Sequence, residues 1–209
     1  MFAKALQRLN PPRTSGALWA RRKGRLRKAL SWFSALALAS ATGVANADSP
    51  QFRVNHARTV LVDQVYRLEV SLDYHFSAEA LNALRNGVPL TLVLDIEVYQ
   101  PRRYLWENVL AVLEQRYQIQ YHALSDKYLL RNLNSGSQST FTSLADALAS
   151  LSDVGDIPII DAHLLDPGQH YMVRVRSRLD IDALPVPLRL EAYVSSDWWL
   201  TSGWYSWDL

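Results

Sequence analysis

The stretch VYRLEVSLDYHF, residues 65–76, alternates without interruption: Tyr66, Leu68, Val70, Leu72 and Tyr74 share one parity, and Arg67, Glu69, Ser71 and Asp73 share the other. Successive side chains of a strand point to opposite faces. The run therefore reads as an antiparallel strand with an apolar face on a core and a polar face in water. VPLTLVLDIEVY, residues 88–99, repeats the pattern through Leu90, Leu92, Leu94, Ile96 and Val98. Residues 109–123 keep one parity through Val109, Ala111, Leu113, Tyr117, Ile119, Tyr121 and Ala123. Residues 170–179 set Tyr171, Val173, Val175 and Leu179 against Arg174, Arg176 and Arg178. Residues 186–194 place Val186, Leu188, Leu190, Ala192 and Val194 on one face of a further expected strand, and shorter strands are expected at 52–57, 127–132 and 157–162.

Two segments follow a helical spacing instead. SAEALNALRNG, residues 77–87, opens on Ser77 as N-cap and stops at Gly87, with Leu81 and Leu84 on one side. SLADALASL, residues 143–151, spaces Leu144, Leu148 and Leu151 at helical intervals behind the capping pair Ser143 and Asp146. About eight strands separated by turns, with two short helices, define an all-β chain. The expected fold is a mainly antiparallel β-sandwich, immunoglobulin-like in general architecture.

The amino-terminal end has a different composition. Residues 1–47 carry nine Lys or Arg and no Asp or Glu, and after Lys28 the uncharged run ALSWFSALALASATGVA fills 29–45. Ala45-Asn46-Ala47 then supplies small residues where a signal peptidase reads them, so 1–47 is expected to be a secretory signal peptide and 48–209 a single exported, periplasmic domain. The apolar run is shorter than the roughly 20 residues of a membrane span and is diluted by Ser, Thr and Gly. An uncleaved leader would anchor the chain; a cleaved one leaves no stable span. The whole chain is +2, but nine of its 22 basic residues belong to the leader, so 13 basic face 20 acidic residues in 48–209, a net of −7. That balance argues against a nucleic-acid partner. The absence of Cys excludes disulfide and thiol chemistry.

The runs EALNALRNGVPLTLVLDIEV, RYQIQYHALSDKYLLRN, FTSLADAL and YMVRVRSRLDIDALPVPLRLEAY, ending in DWWLTSGWYSW, resemble the family called domain of unknown function 4390, from about Phe52 to Leu209. The resemblance implies an exported proteobacterial protein, often encoded beside a nitrogen-regulation-type membrane sensor kinase and its response regulator. The periplasmic domain of such a kinase is the implied partner. The resemblance carries over no activity, cofactor or catalytic residue.

Candidate chemistry is sparse. His122, Ser125 and Asp126 lie close together in YHALSDKY, but no GxSxG elbow occurs and Ser-Asp between apolar runs is ordinary turn chemistry. Asp161 and His163 offer two metal ligands from one strand face, which do not complete a site. Asp153, Asp156, Asp161 and Asp166 lack the spacing of a calcium loop. Neither enzyme activity, nor a cofactor, nor a metal is expected. The Arg174, Arg176 and Arg178 stripe is the polar binding candidate, since the guanidinium fork suits carboxylates and phosphates. Its competing account is cross-strand pairing with Glu69, Asp73, Asp95 or Glu97.

The tail SDWWLTSGWYSWDL, residues 196–209, holds Trp198, Trp199, Trp204, Tyr205 and Trp207. Its main expected role is packing, with one of Trp198 and Trp199 left exposed as a contact candidate and Gly203 imposing a bend. Two functions follow: a non-enzymatic interaction or sensing module, or a sandwich that binds carbohydrate or a peptidoglycan fragment through the aromatic tail.

Overall fold

The computed structural model describes residues 51–102 and 106–209; the expected signal peptide, 1–47, lies outside the described residues. The strand pattern condenses into two antiparallel sheets. In the first, β1 (Gln51–Val62) and β2 (Val65–His75) form a hairpin, and β7 (Asp153–Asp161) pairs along the other edge of β2. The second sheet has six strands in the order β6 (Gln138–Phe141), β5 (Lys127–Asn132), β4 (Asn108–His122), β3 (Leu90–Gln100), β8 (Met172–Leu179) and β9 (Tyr205–Asp208).

The inward set read from the alternation forms the core. Leu68, Val70, Leu72 and Tyr74 of β2 are buried with Leu90, Leu92, Leu94, Ile96 and Val98 of β3 and Val173, Val175 and Leu179 of β8. Among the described residues two side-chain hydrogen bonds cross between the sheets. Ser177 Oγ donates to the Tyr74 hydroxyl at 3.5 Å, and Trp207 Nε1 donates to Thr59 Oγ1 at 3.4 Å. The result is the expected mainly antiparallel, sandwich-like all-β architecture.

Both expected helices form with their expected caps. In α1 (Ala78–Arg85) the Ser77 side chain accepts from the Ala80 N–H, and Gly87 closes the helix at φ +82°. In α2 (Leu144–Ser152) Ser143 accepts from the Asp146 N–H, and Ala147 and Leu151 are buried.

Three expectations are corrected. The segment 186–194 is no strand: Val186–Ala192 is a helix, α3. Pro185 as N-cap and Pro187 in the first turn suit a helix start, where the missing N–H has no partner to lose. A four-residue period then splits the apolar set, with Leu188 and Ala192 turned to the core and Val186, Leu190 and Val194 turned outward. In β4 the parity of 109–123 breaks at its start. Val98 pairs with Ala111 and Tyr99 with Val109, so Leu110 is an extra, bulged residue. The bulge packs Leu110 on the core and leaves Val109 exposed. Finally, β3 is buried on most of both faces: Thr91, Val93 and Asp95 of its outer face are covered, Asp95 by the arginine side chains of β8.

Candidate functional site

The outer face of the six-stranded sheet carries the Arg stripe. The register sets Glu97 opposite Arg174, Asp95 opposite Arg176 and Val93 opposite Arg178; on the other side of β3, Glu114 faces Asp95 and Arg116 faces Val93. Acids of β3 thus lie between the cations of β8 and the mixed charges of β4.

Each guanidinium of the stripe finds carboxylate partners. Arg176 donates to Asp95 Oδ2 through Nε at 3.0 Å and Nη2 at 2.8 Å. Arg178 reaches the same carboxylate through Nε at 2.9 Å and Nη2 at 3.2 Å. Arg174 donates to Glu97 at 2.8 Å and to Glu107 at 2.9 Å. Its guanidinium also lies between two rings, 4.8 Å from the centre of Tyr99 and 5.0 Å from that of Trp204, which also covers Arg176 at 4.5 Å. Arg116 bridges Glu114 and the buried Asp180.

These pairs tune the cations. The hydrogen bond to Asp95, with the charges of Asp95, Asp180 and Glu114, holds Arg178 above its ordinary pKa despite partial burial. Burial pulls Arg174 down, but Glu97 and Glu107 outweigh it and raise it. Asp95 and Glu97 are therefore the pairing acids among the four named from the sequence. Glu69 and Asp73 belong to the other sheet, where Glu69 pairs with Arg58 and Asp73 lies 3.6 Å from His75.

The two tail residues part company. Trp198 ends a 3-10 turn, Ser196–Trp198, and is 1% exposed, with its Nε1 buried and without a partner. Trp199 is 64% exposed, and its Nε1 donates to the Ala192 carbonyl at 3.0 Å, which places the indole at the carboxyl end of α3. One exposed ring was expected. The cause is a tight helical turn, not strand alternation. Gly203 bends the chain at φ +68°, and Tyr205 and Trp207 pack on the core with their rings tilted 46°. They form no coplanar platform.

Arg176, Arg178, Trp198 and Trp199 meet in one cleft of about 290 Å³, completed by Leu179–Asp182 and Leu200–Thr201. Fold and packing bring the separate sequence candidates together here. Arg174 stays apart, between its rings. Asp182 and the cover supplied by Trp204 carried no sequence signal, since neither falls on a strand of regular parity.

The remaining candidates resolve into structure. Ser125 Oγ bonds to the backbone carbonyl of His122 at 3.4 Å, and Asp126 accepts from the Tyr121 hydroxyl at 2.8 Å, so the trio is the turn between β4 and β5. Asp161 caps the turn after β7. The His163 N–H and then its imidazole hold the carboxyl below its ordinary range. Asp156 pairs with Arg67. Among the described residues no three or more His, Asp or Glu converge on a metal position, and no helix is long and apolar enough to cross a membrane.

A two-sheet β-sandwich with its central charges paired among themselves and an aromatic carboxyl-terminal tail docked on it is the class that these features define. The chain belongs to the family described as domain of unknown function DUF4390, whose profile matches residues 49–208. No match is found among curated proteins or solved structures.

Proposed function

We propose that the protein is a non-enzymatic, exported interaction or sensing module that acts in the periplasm by docking on another protein, the periplasmic domain of a membrane sensor kinase being the partner to test first. One observation carries this reading: the outward arc of α3 and of the turn that ends it, with Val186 63%, Leu190 66% and Val194 86% exposed, and the exposed Trp199 hydrogen-bonded to the helix end. A contiguous apolar surface on an otherwise well-packed domain is the ordinary mark of a contact face. The Arg stripe supports the reading by its neutrality. Cations already held by Asp95, Glu97 and Glu107 make a poor anion trap. The test is photo-crosslinking in intact cells, with the crosslinker placed in turn on several exposed faces, followed by identification of the captured envelope protein. Capture of one reproducible partner is expected; no capture from any face would overturn the reading.

A second reading is favoured by the cleft. The exposed ring of Trp199 stands beside the guanidinium groups of Arg176 and Arg178 and the exposed carboxylate of Asp182, a combination that stacks on and hydrogen-bonds a sugar ring. Titration with chitooligosaccharides and muropeptides, read by Trp fluorescence, separates the two. A saturable shift that Trp199→Ala abolishes selects the glycan reading.

A further inference from the structure

We infer that the α3 face is a docking site for a basic amphipathic segment of a partner protein, an inference that rests on the interaction reading and gives that partner its chemistry. Tyr193 caps α3 and Val194 lies in the turn that continues it, their N–H groups still bonded to Arg189 O and Glu191 O. At about 100° per residue, Val186, Leu190, Tyr193 and Val194 fall within one arc of roughly 100°, while Leu188 and Ala192 fall on the opposite side. The packing agrees: Ala192 is buried and Leu188 lies against the core, whereas the four residues of the arc are exposed. Among the described residues nothing covers them. Two hydrogen bonds fix the arc in place. Trp199 Nε1 holds the helix end through the Ala192 carbonyl, and the Tyr193 hydroxyl donates to Asp182 Oδ1. The face is therefore formed before any partner arrives, which lowers the ordering cost of binding. Val186, Leu190, Tyr193 and Val194 are exposed together on this arc, and grouped exposed apolar side chains, unlike single ones, are the usual mark of a contact face.

The charges around the arc select its occupant. Between residues 181 and 200 the ionisable side chains are Asp182, Arg189, Glu191, Tyr193 and Asp197. Arg189 turns its guanidinium onto the Leu184 carbonyl, at 3.2 Å from Nε and 2.9 Å from Nη2. Among the described residues, Asp182, Glu191 and Asp197 are exposed and have no cation within salt-bridge distance, and the guanidinium groups that share the cleft of Trp199 and Asp182, those of Arg176 and Arg178, are held by Asp95. An apolar arc with an acidic rim complements an apolar segment flanked by Lys or Arg, and it repels an anionic lipid surface. The mature chain's surplus of acidic residues acts in the same direction.

The test titrates the protein, as its host produces it, with three probes: a Leu/Lys amphipathic helical peptide, a Leu/Glu peptide of equal length, and phosphatidylglycerol–phosphatidylethanolamine vesicles. Calorimetry and Trp fluorescence are the readouts. The Leu/Lys peptide is expected to bind at least tenfold more tightly than the Leu/Glu peptide. Leu190→Ser with Val194→Ser is expected to weaken that binding at least tenfold, and Asp182→Asn with Glu191→Gln and Asp197→Asn to equalise the two peptides. Thermal melting checks that each variant folds, and Val194→Ser alone serves where the double variant does not. Equal binding of both peptides by the native protein overturns the inference, as does unchanged binding by the serine variants. Vesicle binding, or self-association, that the serine variants abolish also overturns it, by assigning the face to a membrane or to a second copy. Cellular crosslinking to a partner that persists in the serine variants removes this site but leaves the interaction reading intact. Loss of crosslinking from every face removes both.

Discussion

Asp95 receives both Arg176 and Arg178 while it is itself almost fully buried, so one carboxylate is shared by two cations at the centre of the sheet, and Glu114, 3.5 Å from Arg178, supplies a second negative charge. Removing one arginine leaves the acid paired; removing the acid leaves Arg176 without a carboxylate partner and Arg178 with Glu114 alone, at 3.5 Å. Asp95→Asn is therefore expected to destabilise the domain by about 2 kcal/mol, below the ~3–5 kcal/mol of a fully buried pair because both arginines keep partial solvent contact. Arg176→Gln is expected to cost less than half as much, and urea unfolding of the two variants measures the difference. Changing Arg174, Arg176 and Arg178 together to Gln strips Asp95 and Glu97 of their β8 partners, so a lower melting temperature is expected. A variant that melts like the native domain would return the stripe to the role of a free binding face. A second residue sets the response to alkali. Burial pushes the Tyr74 hydroxyl up to about 12 from its ordinary 10. The raised value means that Tyr74 contributes fully below pH 10, and that its contribution falls as pH rises from about 10 towards 12, where the unfolded chain loses the proton first. Alkaline unfolding is expected to begin near pH 10 and to be less steep in Tyr74→Phe. The pairing of Asp95 and Glu97 was legible from the alternation, since an outward acid on one strand and an outward Arg on its neighbour need only the right register. The partners Glu107 and Trp204 were not, because both lie outside regular strands.

The elements divide by whether a period of two or of four governs them. In β2 the two-residue alternation separates the more buried inward side chains from the outward ones, and in β3 the inward side chains read from it are buried, although most of the outer face is covered as well. Leu92→Asp or Val70→Asp is expected to prevent folding, because an unpaired carboxylate in the core costs several kcal/mol. Arg67→Glu is expected to cost far less, although it loses the Asp156 pair. Circular dichroism of the three variants gives the comparison, and equal tolerance would mean that the faces are misassigned. α3 escaped the same reading because Val186, Leu188, Leu190, Ala192 and Val194 satisfy a strand's parity and, taken in alternate members, also a helix's four-residue period. Seven residues are too few for the pattern to decide. Pro185 and Pro187 are the local signal that favours the helix, and the proposed docking arc depends on it. The β4 bulge was hidden for a related reason: an extra residue shifts parity without changing composition.

At the scale of the whole molecule, the carboxyl-terminal tail completes the sandwich. β9 pairs with β8 through Tyr205 to Asp208, Trp198 and Leu200 are buried in the core, and Trp207 reaches across to Thr59 on the other sheet. The backbone of the segment is tied down as well: Leu200 O accepts from Leu179 N at 2.9 Å, and Ser202 N donates to Ser177 O at 2.9 Å. Trp198→Ala alone is expected to cost about 3–5 kcal/mol, the usual loss for a large buried aromatic. Removing residues 198–209 would delete Leu200, the half-buried Tyr205 and Trp207 and a paired strand in addition. It would also expose the edge and outer surface of β8, from which Trp204 is lost as cover over Arg174 and Arg176. A domain of ordinary stability has about 5–15 kcal/mol in total. The summed loss therefore meets or exceeds what holds the domain folded, and the newly bare edge of β8 is a template for pairing with other chains. A chain ending at Asp197 is expected to unfold or aggregate at temperatures where the full chain is native. Melting by circular dichroism, with light scattering alongside, reads the outcome; a truncated chain with an unchanged melting temperature would show that the tail is attached to a core that does not need it, and would free its aromatic rings for a ligand.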